Sequence, residues 1–230
     1  MKVMTFNIQH CNYFPEGKIL FEPFIEEINN SDCDIIGLNE VRGRGFLKDY
    51  TDQTRRLSEG SGLYSFFAPA IKVRGLAPYG NALLCRYPII SAEIIKIPDP
   101  EKRTGKEAYE TRCILKAEIQ AEEKYTVFVT HMGLNKDERE NAVRMLLENA
   151  GEERTVIMGD FNCTPESEEL KPLFDKFICT DKSELTFPSD KPVKKIDYIL
   201  LSRDMEVINK GTSKRIISDH LSQWAVIKEK

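Results

Sequence analysis

The stretch Cys113-Ile114-Leu115-Lys116-Ala117-Glu118-Ile119-Gln120, followed soon after by Tyr125-Thr126-Val127-Phe128-Val129-Thr130-His131, points to paired strands. Both are short apolar runs rich in β-branched and aromatic residues, the composition of strands, and no helical stretch separates them. From Lys136 to Ala150 the period changes: Val143, Met145, Leu146 and Leu147 form an apolar stripe beside Glu and Arg positions, which predicts a helix. Thr155 to Gly159 then returns to the strand pattern.

The same pattern recurs at Lys2 to Ile8, Asp34 to Asn39, Asn81 to Arg86, Ile89 to Ile97, Ile196 to Leu201 and Gln223 to Lys228, with a second, shorter helix at Phe21 to Asn30. Strands outnumber helices and come in adjacent pairs instead of alternating with helices. That order favours two packed sheets flanked by helices, an α/β (α+β) sandwich, over one open parallel sheet. No repeat, linker or low-complexity tract marks a second unit, so one domain over residues 1–230 is expected. The polar segment Asp99 to Tyr109 breaks the pattern and reads as a loop on an active-site rim.

Of the 230 residues, 41% are apolar and 30% charged, the balance of a chain able to bury a core unaided. No run approaches the roughly 18 apolar residues of a membrane span, and no signal-peptide pattern opens the chain. The expectation is a cytoplasmic monomer without stable membrane insertion. Cys11, Cys33, Cys85, Cys113, Cys163 and Cys179 include no pair at two-residue spacing, so neither a zinc ribbon nor a redox motif is present. They read as reduced thiols; disulfides in an exported form are the alternative. A net charge of −4 without a basic block argues mildly against a dedicated nucleic-acid binder.

Metal-competent side chains repeatedly close an apolar run: Asn7, Glu40, His131 and Asp160. One such residue is usually a turn or cap; several together suggest a site at a common rim. Asp160 and Asn162 put two oxygen donors on one side of an extended segment, a set that suits magnesium or manganese. Asp219 and His220 add an acid and an imidazole, the groups needed to hold a metal or water and to move a proton.

These motifs resemble the endonuclease/exonuclease/phosphatase superfamily: Thr5-Phe6-Asn7-Ile8, Leu38-Asn39-Glu40-Val41, Gly80-Asn81-Ala82-Leu83-Leu84, Thr130-His131-Met132-Gly133-Leu134, Gly159-Asp160-Phe161-Asn162, Lys195-Ile196-Asp197-Tyr198-Ile199 and Ser218-Asp219-His220 occur in the family's order. The resemblance implies a four-layer αββα sandwich of two mostly antiparallel sheets. It implies a phosphoesterase that uses Mg2+ or Mn2+ and an activated water. Glu40 would be the main metal ligand with Asn7 beside it, and Asp219 and Asp160 would be available for a second ion. His220 would pair with Asp197, and His131 with Glu110. Asp160 would orient or deprotonate the water, with the role of base open between it and His220. Asn162 and His131 would hold phosphate oxygens, Arg112 would steady the carboxylates or touch substrate, and Asn81 would support or contact the substrate.

The substrate stays open: a phosphodiester of DNA, RNA, a lipid or a small molecule, or a phosphomonoester. Only Trp224 is present, after the last motif, which lowers an abasic-site reading, and no apolar hairpin or basic amphipathic helix suggests a bilayer. Lys72, Arg74, Lys102, Arg103 and Lys106 on candidate rim loops would meet a polyanion or simply face solvent. A catalytically silent binding module would have lost a metal or histidine position, and none is lost.

Overall fold

A computed structural model describes residues 1–230. In chain order the strands are β1 (Lys2–Asn7), β2 (Asn12–Tyr13), β3 (Lys18–Ile19), β4 (Ile35–Arg42), β5 (Tyr64–Val73), β6 (Ala77–Cys85), β7 (Ile89–Lys96), β8 (Cys113–Gln120), β9 (Lys124–His131), β10 (Thr155–Asp160), β11 (Ile178–Cys179), β12 (Asp197–Leu201), β13 (Met205–Thr212) and β14 (Gln223–Glu229). The helices are α1 (Glu22–Ser31), α2 (Gln53–Ser61), α3 (Lys136–Asn149) and α4 (Lys171–Lys176).

Two six-stranded sheets run β13-β14-β1-β4-β6-β5 and β11-β12-β10-β9-β8-β7. Each has one parallel pair at its centre, β1 with β4 and β9 with β10, and antiparallel neighbours outside it. The expected sandwich of mostly antiparallel sheets is therefore what forms.

Three apolar layers hold it together. Val3, Ile35, Leu83, Val129, Met158 and Ile199 pack between the sheets. Met4, Phe6, Ile36 and Leu84 meet Phe24 and Ile28 of α1 and Leu57 of α2. Phe128, Ile157 and Leu200 meet Val143 and Leu146 of α3 and Leu173 of α4. The central strands are thus buried on both faces, which is why they read as unbroken apolar runs.

All nine predicted strands and both predicted helices form, within a few residues of the expected ends. The strands β5 and β13 were not anticipated: both are edges of the first sheet, where Pro69 breaks the apolar run of β5 and Asn209, Lys210 and Gly211 make β13 polar. The short helices α2 and α4 were also missed. All six cysteines are free thiols, five of them buried, as the reduced reading expected. No helix is long and apolar enough to cross a membrane.

Candidate active site

Side chains in a strand alternate between faces. Stepping by twos from the intersheet residues Val3, Ile35, Leu83, Val129 and Met158 reaches Asn7, Asn39, Asn81, His131 and Asp160, and stepping back from Ile199 reaches Asp197. The polar cluster is the end layer of the intersheet core. Strand register brings it to one place: Asn7 stands opposite Asn39, and Asp160 stands between His131 and Asp197.

Asn39, fully buried, ties the two sheets together here. Its amide nitrogen donates to Asn81 Oδ1 and to the Thr130 carbonyl, each at 2.9 Å, and its Oδ1 accepts the Asp160 N–H at 2.9 Å. Gly159, at φ +148°, allows the close approach that puts Asp160 in line; a Cβ there would lie 1.8 Å from the Thr130 carbonyl oxygen.

Backbone strain gathers at the same rim. Glu40 sits at a β-bulge with φ +60°, so that Asn39 and Glu40 both face Asn81. Gln9, His10 and Cys11 are consecutive left-handed residues, and Asn162 is another at φ +54°. Such conformations cost about 1–3 kcal/mol each and persist where the surroundings impose them, often at functional sites. Here the turn after β1 carries Gln9 to Asp219, where its amide nitrogen donates to Oδ2 at 3.0 Å.

Asp160 is the hub. Its Oδ2 lies 3.6 Å from Nε2 of both His131 and His220 and accepts from the Asn7 amide at 3.1 Å, while its Oδ1 accepts the Asn162 N–H at 2.9 Å. His220 Nδ1 meets Asp197 Oδ2 at 2.9 Å, and the Phe187 ring packs on the imidazole at 4.8 Å. Burial works against a charge on His220, but the carboxylates of Asp197 and Asp160 outweigh it and push its pKa up to about 10. Burial, reinforced by Asp197, raises Asp160 to about 7 against the pull of His220.

The expected pair of His131 and Glu110 does not form directly. Arg112 lies between them, with Nη1 2.7 Å from Glu110 Oε1 and 3.2 Å from His131 Nδ1. Burial, the Arg112 charge and His220 hold the His131 pKa well below its ordinary value. Asn81 is buried with both amide ends engaged, Oδ1 by Asn39 and the nitrogen by the Cys113 carbonyl at 3.0 Å, so its amide braces the end layer of the intersheet core. Asn162 donates its amide to the Met132 carbonyl at 2.9 Å.

The donor set fits a hard divalent cation. Glu40, Asp160 and Asp219 surround Asn7 and Gln9, and Asp219 is raised by burial and by the charge of Glu40, with His220 opposing, a like-charge frustration that a cation relieves. Asn7 is turned with its amide nitrogen to Glu40 and Asp160, each at 3.1 Å, and its Oδ1 to the Gln9 N–H. It is a donor in this arrangement, and a half-turn of the amide would make it a ligand. The one group of three acidic or histidine side chains whose ligand atoms all come within 4.8 Å of one another is Asp160, Asp197 and His220. That group is less suited, because the ion pair between His220 and Asp197 already uses Nδ1 and one oxygen.

Beside the hub a cleft of about 360 Å3 is lined by Glu40, Arg42, Tyr50, Tyr79, Arg112 and His131, among others. A larger cavity of about 530 Å3 runs along the exposed face of α3 and contains none of the site residues. The segment expected at the rim is pinned to the start of α3, where Asp137 accepts from Thr104 and Tyr109. Sequence reading missed Asn39, Gln9 and Tyr79. Asn39 alone carried a signal, an amide at an inward position of an apolar strand.

The structure is similar to a conserved protein of unknown function from Enterococcus faecalis, at 20% identity and TM-score 0.81 over 100% of both chains. It is also similar to an endonuclease/exonuclease/phosphatase from Beutenbergia cavernae, at 19% identity and TM-score 0.79, covering 100% of this chain and 71% of that one. A mannosyl-6-phosphatase from Bacteroides thetaiotaomicron aligns over 99% of both chains at 15% identity and TM-score 0.75. Comparison with curated proteins finds no match. The model of the Endonuclease/Exonuclease/phosphatase family matches residues 4–220, nearly the whole chain, and with the hub of Asp160, His131 and His220 at the end of a two-sheet sandwich, the chain belongs to that family.

Proposed function

We propose that the protein is a divalent-metal-dependent phosphoesterase that hydrolyses a phosphodiester with an activated water. The observation that carries this reading is the placement of Asp160 Oδ2 at 3.6 Å from two imidazole Nε2 atoms, beside the acidic group of Glu40 and Asp219.

Glu40 and Asp219, with Asn7 once its amide is turned, would hold the cation, which when bound polarises the phosphoryl group and offsets charge developing on its oxygens. Asp160, with a pKa of about 7, holds the attacking water and accepts its proton. His220, kept protonated by Asp197 and Asp160, presents Nε2–H to a phosphoryl oxygen, which assigns the base role to Asp160. His131, neutral, presents its own Nε2–H from the other side. Asn39 acts through Asp160 by fixing its backbone.

The similar mannosyl-6-phosphatase keeps a phosphomonoester as the second reading. The test is magnesium- and manganese-dependent hydrolysis of supercoiled plasmid, single-stranded DNA, RNA, sphingomyelin, inositol phosphates, sugar phosphates and bis-p-nitrophenyl phosphate, with His220→Ala as control. Turnover of diesters lost in the variant supports the reading. Turnover confined to monoesters replaces it with the second, and no turnover of any substrate with either metal refutes both.

A further inference from the structure

We infer that the cleft beside the reaction centre holds a second anion subsite, built on Arg42, which takes a phosphate or carboxylate carried on the organic part of the substrate. This inference rests on the phosphoesterase reading and narrows its substrate class.

Arg42 ends β4, two residues beyond Glu40, and its backbone N–H is held by Gln53 Oε1 at 2.8 Å. Its guanidinium lies 4.8 Å from the centre of the Tyr50 ring. Arg86, Arg112, Arg139 and Arg215 each reach a carboxylate, whereas Arg42 reaches none within 4.0 Å; the Nε of Arg42, like that of Arg112, is enclosed without a hydrogen-bond partner. A half-buried guanidinium without a counter-charge costs free energy that an oxyanion reaching its Nη groups recovers, and the planar fork of arginine matches phosphate and carboxylate bidentately.

The surrounding groups leave Arg42 free for such a ligand. Of the two acids in the cleft, Glu110 is taken by Arg112 at 2.7 Å and Glu40 by the Asn7 amide at 3.1 Å. Tyr50, Tyr79 and Val73 supply aromatic and apolar wall for an organic moiety, and Glu40 and His131 line the same cleft, so it opens onto the reaction centre. Its volume of about 360 Å3 suits one small ring or short chain. Were Arg42 only a cover for the Tyr50 ring, a second anion on a ligand would gain nothing.

The test measures, by calorimetry and by competition with bis-p-nitrophenyl phosphate in magnesium buffer, two matched pairs: glucose 6-phosphate against glucose 1,6-bisphosphate, and glycerol 3-phosphate against 3-phosphoglycerate. At least one doubly anionic member should bind about tenfold tighter than its partner, and the pair that shows it separates phosphate from carboxylate as the favoured group. Arg42→Gln should reduce that ratio to below about twofold, with Arg42→Lys between. Equal affinities within both pairs, a ratio that survives Arg42→Gln, or no binding of any of the four overturns the subsite. Calorimetry gives this answer even if bis-p-nitrophenyl phosphate is not hydrolysed, an outcome that would count separately against the phosphoesterase reading.

Discussion

The Arg112 guanidinium donates to Nδ1 of His131 across 3.2 Å, and this decides which nitrogen of the imidazole carries its proton. Arginine has donors and no acceptor, so Nδ1 must accept and the proton of the neutral ring sits on Nε2. That N–H points toward Asp160 Oδ2, 3.6 Å away. The two histidines of the hub are therefore unlike: His131 is kept neutral by a neighbouring cation, His220 charged by two carboxylates.

Arg112→Gln should release His131 from that cation. The His131 pKa, now held below its ordinary value by burial first and Arg112 second, should rise, and activity should fall by about 10–100-fold, the usual range for a residue that orients a ligand or acid-base group. Nuclear magnetic resonance titration of the imidazole in both proteins measures the shift. An unchanged His131 titration in the variant would remove Arg112 from this role.

Asp197→Asn should cost about 10²–10⁴-fold in turnover, the scale of a lost proton-transfer or charge-holding group, and leave magnesium binding in place. It should also change stability with a defined sign. His220 has a folded pKa raised from 6.5 to about 10, so the stabilisation from its pairing is complete below pH 6.5 and is lost as pH rises through 10. The deficit of the variant relative to wild type, on the order of a few kcal/mol at pH 6, should shrink toward pH 10. Urea unfolding across that range checks it; a deficit that does not vary with pH contradicts the ion pair.

Glu40→Ala should weaken magnesium binding and activity while shifting metal-free stability by no more than about 0.5 kcal/mol. Glu40 is only half-buried: the Asn7 amide that donates to it stays bound to Asp160 without it, and the Tyr79 hydroxyl that also reaches it lines the open cleft. Calorimetric magnesium titration and thermal unfolding without metal separate the two effects, and a large loss of metal-free stability would show that Glu40 supports the fold.

The central strands were legible because burial on both faces leaves continuous apolar runs, as in Val127-Phe128-Val129 and Val156-Ile157-Met158. The edges β5 and β13 were not, since one side of each meets water and Pro69 interrupts the first. Asn7, His131 and Asp160 were legible as polar residues ending apolar strands, and Glu40 as one closing an apolar run inside β4. What stayed hidden was how they pair. That Arg112 stands between Glu110 and His131 follows from side-chain reach across β8 and β9, and that Gln9 reaches Asp219 follows from a left-handed turn for which no glycine gives a cue.

Asp160→Asn should abolish turnover and yet stabilise the metal-free protein. The hub sets two buried carboxylates, Asp160 and Asp197, against one imidazolium, and Asp197 at 2.9 Å already neutralises His220. Asp160 is the surplus charge: burial first, then Asp197, raises its pKa from 3.8 to about 7. Between those values the folded state binds more protons than the unfolded state, so this group makes wild-type stability fall as pH rises from about 4 to about 7. The asparagine variant lacks the slope and should match wild type near pH 4 and exceed it at pH 8 by on the order of a few kcal/mol. Magnesium, held by Glu40 and Asp219, should stabilise both proteins and leave their order unchanged. Metal-free unfolding at the two pH values, repeated with magnesium, tests this, and a variant less stable than wild type at pH 8 without metal would mean that Asp160 is held by its partners strongly enough to support the fold.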